Sequence, residues 1–204
     1  MTAIALPAVG FRISRPRLVD SVSVSRAGLR TISVVQYADP FWQIEMRTKP
    51  LKASELALVE AFRERVRNGF RTVLYKPKHV CLPQAYWGNP SASALSNTGA
   101  VTAITDGFTV AFNSVDNGLV LMPGDLIGLE KDDYRSLHRV VTGGTAASNA
   151  LSVTVEPYVP SYITTGALVR FKDPELNCRV VPGSFDIPDE QRPSASFTLV
   201  EVPK

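Results

Sequence analysis

Histidine and cysteine are scarce in this chain: His79, His138, Cys81 and Cys178 are the whole supply in 204 residues. His79 and Cys81 alternate to one side of an expected strand, but that is half of the tetrahedral set a structural zinc needs. No metal centre is expected. Two thiols are also too few for a disulfide framework, and both are expected free in a reducing compartment. Long apolar runs are missing: none approaches the roughly 20 residues that span a bilayer, so no membrane partner is expected. The opening "MTAIALPAVGFRISRPRL" breaks its apolar run at Pro7 and Gly10, unlike a secretory signal, and points to a soluble protein made in the cytoplasm.

Catalytic motifs are missing too. "TGGT" at 142–145 lacks the lysine and the following helix of a phosphate loop. No nucleophile elbow occurs. "KDDYRSLHRV" gathers Asp132, Asp133, Tyr134, Ser136 and His138, but no carboxylate is placed to orient the histidine and no oxyanion hole adjoins the serine. Asp132–Asp133 reads more simply as a solvated turn. No catalytic residue, no cofactor and no enzymatic activity are expected.

What the chain has is strand after strand and one helix. "FWQIEMRTKPLKASELALVEAFRERVRNGFRTVLY" reads as strand, helix, strand. Trp42, Ile44 and Met46 alternate with Gln43, Glu45 and Arg47, the pattern of a half-buried strand. Ser54 suits an N-cap, Glu55 a first turn, and Leu58, Val59, Phe62 and Val66 form an apolar stripe. Asn68–Gly69 supplies the stop, which puts the helix at about 53–68. Upstream, "DSVSVSRAGLRTISVVQY" reads as a hairpin turning at Ala27–Gly28. Downstream, the Pro, Gly, Ser and Asn of "LPQAYWGNPSASALSNTGA" mark a boundary. Short strand-like runs follow up to Lys172, with "GGTAASN" as a hairpin connection and Pro123–Gly124 returning a strand on itself.

The fold class is therefore mainly β: a ring-forming sandwich- or barrel-like domain of residues 1–87 and 173–204, with the helix, and an inserted OB-like small β-barrel of residues 88–172. Charge divides the same way. Residues 88–172 carry a net −2 and the remainder +5. An insert is held at both ends by its host, so Cys81 and Cys178 are expected near the junction.

Basic residues cluster as Arg12, Arg15 and Arg17, and again as Arg63, Arg65 and Arg67 beside Glu60 and Glu64. Aromatics are not interleaved with them as single-strand binders require, so the clusters read as protein-facing surface rather than a nucleic-acid track.

The order of β-rich half, single helix, inserted barrel and short β return resembles the small distal tail proteins of long-tailed bacteriophages. The resemblance lies in "RTISVVQYADPFWQIEMRTKPL" through "EAFRERVRNGFRTVLYKP", then in "GDLIGLEKDDYRSLHRVV" with "VTVEPYVP". It implies a virion structural protein assembled in the host cytoplasm. Six copies would form a ring joining the tail tube protein to a hub or baseplate protein, with DNA passing through the lumen unbound. The implied insert is OB-like or lectin-like, with Tyr134, Tyr158 and Tyr162 as possible surface contacts. Arg12, Arg15, Arg17, Arg63, Arg65 and Arg67 are the expected contacts to other subunits or tail proteins. A strongly basic channel would hold phosphates by counterion release, so a neutral or acidic lumen is expected. Two alternatives stand beside this reading: a carbohydrate-binding β-module touching the host surface, and another ring protein such as a connector or tail terminator.

Overall fold

The computed structural model describes residues 3–28, 31–78 and 81–204. His79 of the considered zinc pair lies outside them. The first half contains β1 (Ile4–Ala5), β2 (Phe11–Ile13), β3 (Pro16–Ala27), β4 (Thr31–Thr48), helix α1 (Ala53–Val66) and β5 (Val73–Tyr75). Then come β6 (Gly99–Thr105), β7 (Thr109–Asn113), β8 (Val120–Leu121), β9 (Leu126–Lys131) and β10 (Tyr134–Thr142). The chain finishes with β11 (Gly144–Thr145), β12 (Ala150–Glu156), β13 (Leu168–Arg170), β14 (Leu176–Val180) and β15 (Ser196–Glu201).

Seven strands make one curled sheet in the order β1-β5-β14-β15-β4-β2, with β3 also on β4. The alternation read from the sequence decides its faces. Trp42, Ile44 and Met46 are buried, while Gln43, Glu45 and Arg47 between them are exposed. Met46 pairs with Phe197 and Ile44 with Leu199, so the apolar face continues across β15. The curl brings β5 towards the β2–β3 corner, where the buried Tyr75 hydroxyl donates to the Ser14 carbonyl. Burial raises that phenol's pKa further above its usual value.

Helix α1 covers one part of this apolar face. Val59, Phe62 and Val66 are buried, and the Phe62 ring meets Phe197 with centroids 5.6 Å apart. Leu58, expected in the stripe, is exposed instead, because it sits one position round from Val59 and off the face that meets the sheet. The start also differs from expectation. The N-cap is Lys52, not Ser54, and the Glu55 carboxylate reaches back to accept the Lys52 N–H at 2.8 Å. At the other end Arg67 itself takes the left-handed capping conformation, so α1 stops at Val66 and Arg67 lies beyond it. Gly69 follows with positive φ, and a Cβ there would come within 2.5 Å of the Val180 carbonyl oxygen. Only glycine fits at that point.

Six strands close into an antiparallel barrel in the order β10-β12-β7-β6-β13-β9. Val101, Val110, Phe112, Leu129, Val153, Val155 and Val169 fill it. Pro123–Gly124 does not fold β8 back on β9. It passes the chain from the small β8–β11 sheet into the barrel wall. The stretch before β6 belongs with the barrel: Leu82, Tyr86 and Leu95 pack on its core. Asp125, fully buried, accepts the Gln84 N–H at 2.9 Å and the Met122 N–H at 2.7 Å, which pins that stretch to the barrel.

The barrel docks on the rest of the sheet's apolar face. Leu126 and Leu137 of its wall share a core with Trp42, Ile44, Leu176 and Leu199. The Trp42 indole N–H donates to the Leu137 carbonyl at 2.6 Å, and the Arg139 guanidinium lies 5.7 Å from the indole ring. Helix and barrel thus divide one apolar surface between them, which explains why a chain of strands carries a single helix. A charge network closes the seam. Arg135 bridges Glu130 (2.8 Å) and Glu175 (2.9 Å), Lys76 meets Glu175 at 2.7 Å, and Arg170 meets Glu130 at 2.7 Å. Burial opposes ionisation of Glu175, but hydrogen bonds and charge from Lys76 and Arg135 outweigh it and hold the carboxyl below its usual pKa. The chain enters and leaves this region at adjacent points, because the Asp173 N–H donates to the Cys81 carbonyl at 2.8 Å. Both thiols are free, Cys178 buried and Cys81 half-buried.

Candidate subunit interface

The part of β3 and β4 beyond the curled sheet forms an arm. The strands stay paired out to Ala27 and Thr31, and β15 accompanies β4 only from Gln43 to Arg47. Register shifts at Val19–Ser21–Val22 mark where the arm leaves the body, with Pro40 in β4 at the same level. Proline suits such an irregular edge because it has no N–H to give to a ladder. Beyond that point Val22, Val24, Ile32, Val34, Val35 and Tyr37 are all exposed, from 41% to 73%. Scattered exposed apolar residues are normal on a surface, but Val22, Val24, Ile32 and Val34 share one face of a short ribbon and form a patch of the kind that marks an interaction site.

At the base of the arm, a groove of about 940 Å³ runs between it and the barrel. Arg15, Arg17, Glu45, Arg139, Glu156 and the Trp42 edge line it. Arg12, Arg15 and Arg17 are exposed around β2 and β3, on one margin of the sheet. Arg63, Arg65 and Arg67 are exposed at the end of α1, over β14 and β15. The Arg63 guanidinium rests 5.8 Å from the Phe185 ring centre. The two clusters therefore sit on different faces.

The expected barrel tyrosines are divided. Tyr158 is exposed and meets the partly exposed Phe108 edge-on, with ring centres 5.5 Å apart. Gly107 lies directly beneath the Tyr158 ring, where a side chain would overlap it. Tyr134 and Tyr162 are half-buried, stacked at 5.0 Å against the barrel core, with Lys204 over Tyr134. Burial is the main reason the Tyr162 phenol's pKa is raised, helped by Glu201 and Tyr134.

Ser136 and His138 do face the same way, into the protein. Both are buried, with His138 Nε2 2.9 Å from the Ser136 hydroxyl and Nδ1 2.9 Å from the Pro157 carbonyl. A carbonyl only accepts, so Nδ1 carries the proton and Nε2 accepts from Ser136. Burial lowers this imidazole's pKa to about 4, although the Pro157 carbonyl works in the opposite direction. The partner orienting the ring is a carbonyl rather than a carboxylate, and the hydroxyl has no opening to solvent. The pair pins β10 to the chain after β12. Asp132 and Asp133 are exposed in the two-residue turn between β9 and β10.

Among the described residues no group of three or more His, Cys, Asp or Glu side chains could hold a metal ion. No helix among them is long and apolar enough to cross a membrane. The fold is thus a mainly β protein with a closed barrel docked on a curled sheet, and an exposed apolar arm as its main unpartnered feature. Comparison with protein-family models gives no match, and comparison with curated proteins gives none either.

Proposed function

We propose that this protein is a structural component of a bacteriophage tail tip, six copies forming a ring between the tail tube and the distal tip or baseplate. The observation that carries the reading is the arm, a ribbon held out from the body with Val22, Val24, Ile32 and Val34 exposed together on one face. A part built to stand alone gains nothing from such a ribbon, whereas a ring subunit needs surfaces for its neighbours. The two arginine clusters support a ring in particular. Heterologous contacts require each subunit to present two different faces, and Arg12, Arg15 and Arg17 lie on one while Arg63, Arg65 and Arg67 lie on another. The tail tube protein and a hub or baseplate protein are the proposed partners, with DNA crossing the lumen and no catalysis.

Electron microscopy of virions labelled on this protein tests the reading. Label at the distal end of the tail tube is expected. Label at the neck would favour a connector or tail terminator, and absence from virions would end the proposal. Within the ring, Arg63→Glu with Arg67→Glu is expected to weaken assembly while leaving the melting curve of the monomer unchanged. Normal assembly of that variant would remove the helix end from the interface.

The Phe108–Tyr158 pair favours a second reading, since exposed aromatic faces suit sugar rings. A glycan array with the full chain separates the two, because clear sugar binding would promote a carbohydrate-binding role.

A further inference from the structure

The face of the curled sheet opposite α1 and the barrel carries a trough of about 710 Å³. Alternation makes its floor. Leu176, Cys178 and Val180 of β14 turn into the core, so Asn177 and Arg179 between them turn outward. Leu74 of β5 lies beside its cross-strand partner Asn177. The Asn177 side-chain amide donates to the Asp133 carbonyl at 2.8 Å and to the Pro203 carbonyl at 3.1 Å. These bonds tie the β9–β10 turn and residues 203–204 to the same face. The Asn177 Oδ1 is buried there with no hydrogen-bond partner.

Phe70 stands at the margin of the trough. At 80% it is the most exposed large apolar side chain among the described residues. It is nevertheless held in place: its N–H donates to the Arg67 carbonyl at 3.2 Å, and the Arg71 N–H to the Val66 carbonyl at 3.4 Å. The lining is basic, with Arg135, Arg179 and Lys204 against Asp133. Arg135 is engaged with Glu130 and Glu175, and Lys204 makes an exposed 3.3 Å pair with Asp133 that contributes little. Arg179 is exposed and has no ion pair among the described residues.

We infer that this trough docks an acidic segment of a different protein, which sets an apolar side chain against Phe70 and Leu74 and a carboxylate on Arg179. The inference goes beyond the ring reading. The trough shares no residue with the arm or with the two arginine clusters, and its occupant is the same wherever the protein sits.

A single exposed phenylalanine is ordinary. One fixed by a turn beside an unpaired arginine has the two residue types that dominate interface centres, and it loses little freedom on binding. The sign of the lining calls for carboxylates. A second copy is a poor source of them: each chain carries +3 overall, and the residues outside 88–172 carry +5, so two copies bring like charge together. Nucleic acid would meet the same cations, but single-strand binders line up several aromatic platforms. Phe70 is the one aromatic residue among the described residues lining the trough.

The test pans a display library of short random peptides on the purified full chain, with counter-selection on Phe70→Ala. Enriched sequences are expected to place Asp or Glu within a few residues of Leu, Ile or an aromatic. Calorimetric titration with the strongest should show Phe70→Ala weakening binding about 30-fold and Arg179→Glu about 10-fold. Melting curves should be unchanged, because both side chains are exposed. The same peptide with its acidic residue changed to lysine should regain affinity for Arg179→Glu, and added salt should weaken the wild-type complex. A selection that returns neutral or basic peptides, or none that distinguishes wild type from Phe70→Ala, overturns the inference. Oligothymidine binding with the same dependence on Phe70 overturns it in favour of a nucleic-acid surface. Self-association of wild type that Phe70→Ala abolishes overturns it in favour of a contact between copies. Label at the distal tail with a trough that binds nothing refutes this inference and leaves the tail-tip role standing. Absence from virions with Phe70-dependent acidic peptides does the reverse.

Discussion

Trp42→Ala is expected to destabilise the protein by about 4 kcal/mol, as truncation of a large buried aromatic does. The indole is 2% exposed and fills the junction of sheet and barrel. Its ring bridges Ile44 and Leu199 of the sheet core to Leu137 of the barrel wall, and its N–H satisfies the Leu137 carbonyl. Truncation removes the packing, the cover over that carbonyl and the platform beneath Arg139. Urea denaturation of wild type, Trp42→Phe and Trp42→Ala gives the decomposition. Phenylalanine keeps most of the volume and loses the hydrogen bond, so its cost is expected near 1–2 kcal/mol. Fluorescence provides a second readout, since the other tryptophan, Trp87, is 63% exposed. Trp42→Phe should remove the blue-shifted part of the emission and leave the water-exposed part. If Trp42→Ala unfolds with the wild-type midpoint, the barrel is not held to the sheet through this residue.

The second large effect concerns pH. His138 is buried as the neutral imidazole, with its pKa lowered by burial from 6.5 to about 4. The unfolded chain therefore binds a proton that the folded one refuses between those values. The resulting stability is complete above pH 6.5 and is lost as pH falls towards 4, about 3 kcal/mol in all. Glu201 acts in the opposite sense. Burial raises its carboxyl to about 7, against the Trp42 backbone N–H that donates to it at 2.9 Å. Its contribution is complete below pH 4.5 and is lost as pH rises to about 7. The half-buried carboxylate keeps some solvent, so its amplitude should be the smaller. The two slopes oppose each other between pH 4.5 and 6.5, and wild-type stability should change little there. Glu201→Gln keeps an oxygen for the Trp42 backbone N–H and removes the titration. Chemical denaturation across pH 4.5–7.5 should then show the variant losing stability on acidification much more steeply than wild type. Equal slopes would mean that Glu201 titrates normally in the folded state.

Much of this architecture is legible before any coordinates. The alternation of Trp42, Ile44 and Met46 fixes a strand and its buried face. The spacing of Val59, Phe62 and Val66 fixes a helix, and the short β-branched runs after Gly99 fix a barrel's worth of strands. What escapes is set by partners distant in sequence. Leu58 fits a helical period as well as Val59 does, and only the direction from which the sheet approaches separates them. Ser136 and His138 share a side by counting, but their burial depends on a carbonyl at Pro157 that closure of the barrel brings in. The capping of α1 turns on Glu55 reaching back to Lys52, which competes with a good capping residue at Ser54. The arm is the clearest case. Its alternating valines and serines read as a hairpin, and nothing local says that both of its faces stay uncovered by the other described residues. The arginines of the expected interface are visible as clusters, but their division between two faces comes from the sheet order.

The hydrogen bond between the Asp173 N–H and the Cys81 carbonyl bears on how the chain finds its fold. Strands β5 and β14 lie side by side, Val73 opposite Cys178, although on the order of 100 residues separate them along the chain. Bringing the ends of so long a flexible loop together costs about 4 kcal/mol of chain entropy before the strands gain anything from pairing. A barrel that has already folded carries its two ends next to each other, which turns that long loop into a short rigid one. The sheet then needs to search only for a local partner. Pairing of β5 with β14 should therefore follow barrel formation in time, and mutations in the barrel core such as Val110→Ala should slow the appearance of the sheet as well as that of the barrel.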